Sequence, residues 1–266
     1  MSTTPSRFGT DNLASLADAA VLKNGTGGGA PALVQDAAFP MSNLLLNDRK
    51  VLWSSGVLAG SSVTVDIVLG GASTVSAISV HGLRISAGGS WGGESYYTQT
   101  GTYTPGGTWT NAGTSPGFVY PDTGSAFTPR ANVTAIRVVF GSITGTLVCG
   151  KIFAGDPSYV TASYVSDQGT REDTPQRNAT ILTYPSGSVF AFNLGDQSRI
   201  IKLQFSNITA AQAAFLQGLA GLVQPFVYLD ASGAFWDVIL ASKQVPTKQT
   251  DGTPHYACTL DLLGIP

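Results

Sequence analysis

The sequence predicts an all-β protein in which a β-sandwich is followed by a β-sheet or barrel domain with one short helix. Three observations lead to this class. Segments such as 63–69 alternate apolar and polar residues, which is the two-residue period of a half-buried strand. Gly, Ser and Asp residues stand between these segments, where turns are expected. Residues 208–223 instead carry apolar residues at helical spacing behind a helix-start signal.

The composition favours a folded subunit of an assembly. Charged residues make up 11% of the 266 residues, compared with about 25% in an ordinary soluble protein. The 43% hydrophobic content is that of a folded chain, and 32 Gly residues with many Ser and Thr replace the missing charges. Because the centres of protein interfaces are depleted in charge, we interpret much of the surface as buried between subunits. An extracellular β-sandwich with a neutral surface is the alternative.

The charge distribution excludes several kinds of partner. The formal net charge is −2, and no cluster of Lys and Arg offers a binding surface for nucleic acid or anionic lipid. Residues 1–8 lack the apolar segment of a secretory signal, and no apolar run approaches the roughly 20 residues that span a bilayer. We therefore expect synthesis in the cytosol and no membrane insertion. Cys149 and Cys258 lie far apart in strand-like segments and are predicted to be buried free thiols.

Residues 1–38 are predicted to be an N-terminal arm. Ala14–Leu22 has the composition of a short helix, and the glycine-rich run 24–29 loses too much entropy on ordering to form regular structure cheaply. We expect a neighbouring subunit to order such an arm.

Residues 39–158 are predicted to form the β-sandwich. In the segment 63–69, Val63, Val65, Ile67 and Leu69 share one face, whereas Thr64 and Asp66 share the other. Glycines 70 and 71 turn the chain into a second strand, 75–80, and a later strand pair is expected at 135–140 and 146–153.

Three motifs of this segment resemble the galactose-binding-like (discoidin) jelly roll. They are an Asn47-Asp48 step before Trp53, the strand pair VTVDIVLGG and SAISVHG, and the closing run IRVVFG with TLVCGKIFAGD. The resemblance implies a jelly-roll sandwich, and members of the family bind glycans or proteins. An Asp-Gly loop often holds calcium in that family, but Arg49 stands where the glycine would be, so no metal is predicted.

The segment 88–129 carries aromatic residues in a Gly, Thr, Ser and Pro background. A hairpin is expected around the turn 105–107, between Tyr103 and Trp109. These rings can pack on their own sheet, contact a neighbouring subunit or stack on a sugar. The candidate contact residues for a glycan or a protein are Trp91, Tyr96, Tyr97, Tyr103 and Trp109.

Residues 159–266 are predicted to form the second β domain. Thr209 and Gln212 have the spacing of a capping box, and a helix is expected at about 209–223. Its apolar stripe is predicted to comprise Phe215, Leu219, Leu222 and Val223. Strands are expected at 200–205, 225–229, 235–240 and 256–263.

This order of strand, capped helix, strand, hairpin and closing strand resembles the sheet-plus-helix domain of bacteriophage tail-tube and tail-tip proteins. The resemblance implies a virion structural protein, a minor tail protein at the distal tip or baseplate, located in the virion tail. Its partners would be other copies of itself in a ring with sixfold or threefold symmetry, the tail tube protein and other tail-tip proteins.

The charged segment 158–184 is either a solvated loop or a subunit-contact loop, since charge pairs fix register between partners. The residues predicted for subunit contacts are Arg171, Glu172, Arg177, Phe226 and Trp236. The alternative function is a lectin-like module that binds a host glycan through the aromatic segment.

No motif predicts an enzyme, a cofactor or a metal. Ser90 and Ser115 lie in G-x-S-x-G matches, but neither is followed by the helix that a nucleophile elbow requires. His81 is interpreted as a strand-end residue. His255 and Cys258 lie in a predicted strand, where positions three apart point to opposite faces and do not bind one metal.

Overall fold

The computed structural model describes residues 7–16, 19–24, 36–48, 50–115, 122–159, 172–176, 179–183, 189–193, 198–219, 221–222, 224–230, 233–242, 246–249 and 255–265. The chain forms two compact units. The sandwich unit comprises residues 7–159 and 226–236, and the C-terminal unit comprises residues 1–6, 160–225 and 237–266. Both are built mainly of antiparallel strands, which confirms the predicted all-β class.

The described residues contain 17 strands and one α-helix. The strands are β1 (Arg7–Gly9), β2 (Ala19–Asn24), β3 (Trp53–His81), β4 (Arg84–Ile85), β5 (Glu94–Thr100), β6 (Thr110–Ser115), β7 (Thr123–Cys149), β8 (Lys151–Gly155), β9 (Ser158–Tyr159), β10 (Glu172–Gln176), β11 (Ala179–Thr183), β12 (Val189–Asn193), β13 (Ser198–Ile208), β14 (Phe226–Leu229), β15 (Phe235–Leu240), β16 (Thr247–Gln249) and β17 (His255–Gly264). The helix is α1 (Ala210–Leu219), and short 3-10 helices occur at Leu13–Leu16 and Met41–Leu45.

The sandwich unit is organised around one long ribbon of two strands. β3 and β7 pair antiparallel from Trp53 opposite Cys149 to Val80 opposite Thr123. Register shifts interrupt the ribbon, and Asn132 has a φ of 59° at the shift between Val133 and Arg130 of β7. β2 and β5 flank the middle of the ribbon, β6 pairs with β5, and β8 flanks the last part of β3. The ribbon therefore supplies strands to both layers of the sandwich.

The core of this unit lies between those layers. Val65 and Val138 from the middle of the ribbon share a buried cluster with Ile78 from its end and Ile152 of β8. The predicted alternation at 63–69 is confirmed on the apolar side, where Val63, Val65, Ile67 and Leu69 are buried. The polar side differs from the prediction, because Asp66 is also completely buried.

The described residues of the predicted N-terminal arm belong to the sandwich unit. The ring of Phe8 in β1 lies 6.3 Å from that of Phe226 and 5.5 Å from that of Tyr228, measured between centroids. The predicted helix Ala14–Leu22 is replaced by a 3-10 turn and strand β2. β2 pairs with β3 from Ala19 opposite Val68 to Asn24 opposite Val63, and this distant partner overrides the local preference.

The C-terminal unit contains the predicted helix and the strands predicted at 200–205 and 256–263, whereas β14 and the first two residues of β15 belong to the sandwich unit. β10, β13, β17 and residues 238–240 of β15 are neighbours in an antiparallel sheet, β16 pairs with the beginning of β17, and β11 and β12 form a hairpin. The capping box is confirmed, since the amide of Thr209 donates to Gln212 Oε1 at 2.9 Å and the amide of Gln212 donates to Thr209 Oγ1 at 3.3 Å.

The helix is shorter than predicted, and its buried face is different. α1 ends at Leu219 and buries Ala213, Leu216 and Leu219. The predicted stripe residue Phe215 is half-buried, and Leu222 remains 40% exposed beyond the helix end. Gly221 donates to Gly218 O, and this tighter turn stops the helix before the predicted stripe is complete. Val223 lies outside the described residues.

Two further observations concern the whole described chain. Cys149 and Cys258 are buried free thiols, as predicted. No described helix has the length and apolar character needed to cross a membrane.

Candidate functional site

The predicted aromatic residues occupy different environments. Tyr96 is completely buried in the sandwich core, where burial, followed by the nearby charge of Glu94, raises the pKa of its hydroxyl well above its usual value. Alternation in β5 explains this position, because Tyr96 lies opposite the core residue Val138 and Tyr97 lies opposite Arg137 on the other face. Tyr96 offers no surface to a ligand, which corrects its prediction as a contact residue.

Trp91 is half-buried and packs against the sandwich core. It lies between β4 and β5 in a segment that backbone hydrogen bonds hold on β7. Ser90 and Thr144 exchange bonds of 2.9 and 2.8 Å, and the amide of Gly92 donates to Gly141 O at 2.7 Å. Ser90 is thus followed by strand β5 and not by a helix, which agrees with the sequence argument against a nucleophile elbow.

Tyr103 and Trp109 lie in the loop that joins β5 to β6, which we call the strap (residues 101–109). The two strands pair antiparallel, so the predicted hairpin is confirmed. The rings of Tyr103 and Trp109 contact edge to face, with centroids 6.3 Å apart. Gln99 anchors the strap from the end of β5, because its side chain donates to Thr104 O at 3.0 Å and accepts from Thr104 N at 2.9 Å.

An ion pair lies beneath the strap on the outer face of the sheet. Register places Asp66 of β3, Arg137 of β7 and Tyr97 of β5 directly opposite one another, and therefore on one face. Arg137 binds Asp66 in a bidentate manner, with Nε 2.5 Å from Oδ1 and Nη2 2.7 Å from Oδ2. The Arg137 side chain is 18% exposed and that of Asp66 is 0% exposed.

The strap closes over this ion pair through three contacts, and a fourth contact lies within the strap. The Tyr103 hydroxyl donates to Asp66 Oδ2 at 3.0 Å, and Arg137 Nη2 donates to Pro105 O at 2.9 Å. The Arg137 guanidinium lies 4.0 Å from the centroid of the Trp109 ring, and Trp109 Nε1 donates to Pro105 O at 3.4 Å. Burial and then the charge of Asp66 raise the pKa of Tyr103 above its usual value.

We refer to Asp66, Tyr97, Tyr103, Trp109, Asn111 and Arg137 as the outer-face site. Tyr97, Tyr103 and Trp109 are each half-buried, so each of these residues keeps part of its surface exposed. Asn111 is exposed and lies opposite Tyr97 in the β5–β6 pairing. The site therefore presents aromatic rings and amide and hydroxyl groups, held in place by a charge pair below them.

A buried Ser–His–Asp arrangement was not predicted. Ser79 Oγ lies 2.7 Å from His81 Nε2, and His81 Nδ1 lies 3.1 Å from Asp122 Oδ2. The order of atoms is that of a catalytic triad. All three side chains are buried, so a substrate cannot reach Ser79. We interpret the arrangement as structural: with Gly82 N donating to Asp122 Oδ1 at 3.0 Å, it ties the end of β3 to the beginning of β7.

The loop that the jelly-roll resemblance associates with calcium is held by protein contacts. The buried Lys151 donates from Nζ to Asn47 Oδ1 at 3.2 Å, and Asp48 Oδ1 accepts from the amide of Lys50 at 2.9 Å. Within the described residues, no three His, Cys, Asp or Glu side chains cluster as metal ligands would. Arg49 lies outside the described residues.

Of the residues predicted for subunit contacts, two are buried in the sandwich unit, one lies in β10 and two lie outside the described residues. Phe226 and Trp236 are 3% and 8% exposed and stabilise the sandwich unit itself, where Trp236 Nε1 donates to Asp230 Oδ2 at 3.1 Å. Their side chains therefore have little surface to offer another subunit. Glu172 lies opposite Lys202 in the β10–β13 pairing, and Arg171 and Arg177 lie outside the described residues. The subunit-contact role of these residues stays a prediction.

No protein-family model and no curated protein matches the chain. Chitosan-binding module 1 of a chitosanase/glucanase from Paenibacillus sp. IK-5 is 16% identical over 55% of this chain and 99% of that chain, with a TM-score of 0.44. The GH29 fucosidase of Ruminococcus gnavus is 18% identical over 56% of this chain and 27% of that chain, with a TM-score of 0.41. CpGH89CBM32-6 from Clostridium perfringens is 16% identical over 54% of this chain and 98% of that chain, with a TM-score of 0.39. Sequence identities and TM-scores this low support no conclusion about a ligand of this chain.

Proposed function

We propose that the sandwich unit binds carbohydrate through the outer-face site. The observation that supports this function is Trp109, whose ring lies over the Arg137 guanidinium on the outside of the sheet and which remains partly exposed. A sugar ring has an apolar face of C–H groups that packs on an aromatic ring, while its hydroxyl groups need hydrogen-bond partners at the rim.

The rigidity of the site favours binding. A loop that is ordered only by its ligand lowers affinity by about 0.5–1.5 kcal/mol for each immobilised side chain. Here Tyr103 and Trp109 are already fixed by Asp66, Arg137 and Pro105. The rings are therefore in place before a sugar arrives.

The hydrogen-bonding groups lie beside the rings. Asn111 Oδ1 accepts from the amide of Gly113 at 2.7 Å, which fixes the side chain and leaves its Nδ2 donor without a partner among the described residues. Tyr97 lies opposite Asn111, and its phenol contributes a second polar group. Neighbouring donor and acceptor groups of this kind suit the hydroxyl pairs of a sugar.

Affinity electrophoresis and calorimetry with a panel of soluble polysaccharides test this function. We expect the protein to bind at least one polysaccharide and Trp109→Ala to weaken that binding about tenfold or more, equivalent to about 1.4 kcal/mol. Phe39→Ala is the matched control, because Phe39 is an aromatic residue with 43% exposure outside the site. Equal binding by the wild type and Trp109→Ala would overturn the proposed site, and no binding to any glycan would overturn the function.

A second candidate function is that of a structural subunit of a bacteriophage tail tip or baseplate. It is supported by the order of elements along the last part of the chain, where β13, the capped helix α1, β14, β15 and β17 follow one another as the resemblance requires. Light scattering with negative-stain imaging tests this function. Closed rings with a central hole, alone or on a tail-tube template, are expected, and a monomer under both conditions would contradict it. The two functions are compatible in one chain.

A further inference from the structure

The charges of the outer-face site determine its selectivity between acidic and uncharged sugars; this inference rests on the proposed carbohydrate binding. An arginine on an open sheet face ordinarily attracts anions, because its planar fork of N–H groups matches a carboxylate or a sulfate with two parallel hydrogen bonds. Such a site would select acidic sugars. In this protein the fork of Arg137 is already occupied.

Asp66 takes the two donors that an acidic ligand would need. Nε and Nη2 of Arg137 bind the two carboxylate oxygens of Asp66, and Nη2 also donates to Pro105 O. Nη1 is left without a partner among the described residues, and one nitrogen cannot form the paired fork. The negative charge of Asp66 also neutralises the positive charge of Arg137, because the two groups are in direct hydrogen-bond contact.

The remaining groups of the site are uncharged. Trp109 and Asn111 do not ionise, and the raised pKa of Tyr103 keeps its hydroxyl protonated at neutral pH. The six side chains of the outer-face site therefore sum to zero net charge. The guanidinium of Arg130, beside Asn111, is engaged by Asn111 O at 2.7 Å, Thr110 O at 3.1 Å and Thr98 Oγ1 at 2.8 Å. Packing on the aromatic rings is then the main source of binding energy. It favours an uncharged sugar, because an acidic sugar would have to remove water from its carboxylate on binding.

We propose that the outer-face site selects uncharged glycans and that Asp66 determines this selectivity by occupying the Arg137 fork. Asp66 is a positioning and specificity residue, since it acts on the ligand through Arg137 and is itself completely buried.

Soluble oligosaccharide pairs of the same linkage that differ only in oxidation of the sugar at C6 test the proposal: β-1,4-glucan with β-1,4-glucuronan, α-1,4-galactan with α-1,4-polygalacturonate, and β-1,4-mannan with β-1,4-polymannuronate. We expect the wild type to bind the neutral member of a pair about tenfold or more tightly than the acidic member. Its affinity should also change little between about 0.05 and 0.5 M NaCl, because no ion pair forms with the ligand. Equal or tighter binding of the acidic member would overturn the selectivity and leave the proposed function standing.

Asp66→Asn separates charge from shape at the same position. With the fork released, binding of the acidic member relative to the neutral member should strengthen about tenfold, and binding of the acidic member should become sensitive to salt. Asp156→Asn is the control, because Asp156 is an exposed aspartate of the same unit and its substitution makes the same change in net charge.

An unchanged ratio of neutral to acidic binding in folded Asp66→Asn would overturn the role of Asp66. If this variant does not fold, as judged by circular dichroism, the wild-type pairs and their salt dependence still decide the selectivity. Absence of binding to every pair and to every polysaccharide of the panel would overturn the proposed function together with this inference.

Discussion

Replacing Arg137 with methionine tests whether the ion pair holds the outer-face site together. Methionine retains much of the aliphatic stem of arginine but removes the guanidinium. The change removes two charge-assisted hydrogen bonds to Asp66 and the bond to Pro105 O, and it removes the cation beneath the Trp109 ring. Asp66 then keeps the Tyr103 hydroxyl as a partner.

The expected loss follows from the burial of Asp66. Its carboxylate is 0% exposed and regains water only if the strap opens. Removing one partner of a buried ion pair costs about 3–5 kcal/mol, and the lost contact with Trp109 adds about 0.5–2 kcal/mol. The 18% exposure of Arg137 and the remaining Tyr103 bond reduce the total. We expect the free energy of unfolding of the sandwich unit to fall by about 3 kcal/mol.

Urea unfolding followed by circular dichroism and by tryptophan fluorescence measures this change. The double variant Asp66→Leu, Arg137→Met leaves no unpaired charge, so it should recover most of the lost stability. Lys50→Met is the control, because it removes an exposed cation outside the strap and should shift stability by no more than about 0.5 kcal/mol. The reasoning is refuted if Arg137→Met costs less than about 1 kcal/mol, or if the double variant is no more stable than the single one.

Three further predictions concern the fold. Gly124→Ala should destabilise the sandwich unit by about 2–4 kcal/mol in urea unfolding, because a Cβ there would lie 2.6 Å from the Ser79 side chain and 2.7 Å from that of Phe235. Gly71→Ala, where a Cβ meets nothing within 4 Å, should be tolerated. Thr209→Ala should destabilise the C-terminal unit by about 1 kcal/mol, because the side-chain cap of α1 is lost; an unchanged urea midpoint would contradict this. Burial raises the pKa of Tyr103 above the value of 10.0 that it has when unfolded, so its contribution to stability is complete below pH 10 and is lost as the pH rises further. Tyr103→Phe should therefore lose less stability than the wild type between about pH 10 and 11, measured by urea unfolding.

Features that depend on neighbouring residues were predicted well. The alternation from Val63 to Leu69 depends on a strand whose side chains point to opposite faces, and the buried positions agree with it. The capping box joins Thr209 to Gln212, three positions apart, and both of its hydrogen bonds are present. The hairpin around the strap follows from its glycines and proline, and β5 and β6 pair as expected.

Features that depend on distant partners were missed. The alternating pattern of residues 63–69 predicts that Asp66 is an exposed polar residue on the outer face. In the structure Arg137 lies opposite Asp66 on β7, and the strap covers both. Ser79 and His81 meet Asp122 only because β3 and β7 pair along their whole length. Strand β2 was predicted to be part of a helix because its pairing with β3 has no local signal.

The sequence by itself determined the all-β class, the turn positions, the helix start and the apolar faces of individual strands, because each of these follows from a period or spacing within a few residues. Only the tertiary structure decided which aromatic residues are buried and which remain partly exposed, and it alone placed Tyr96 in the core and Trp109 over Arg137. The physical reason is that pairing across strands joins residues tens of positions apart. The burial of a charged group such as Asp66 is stable only where such a partner neutralises it.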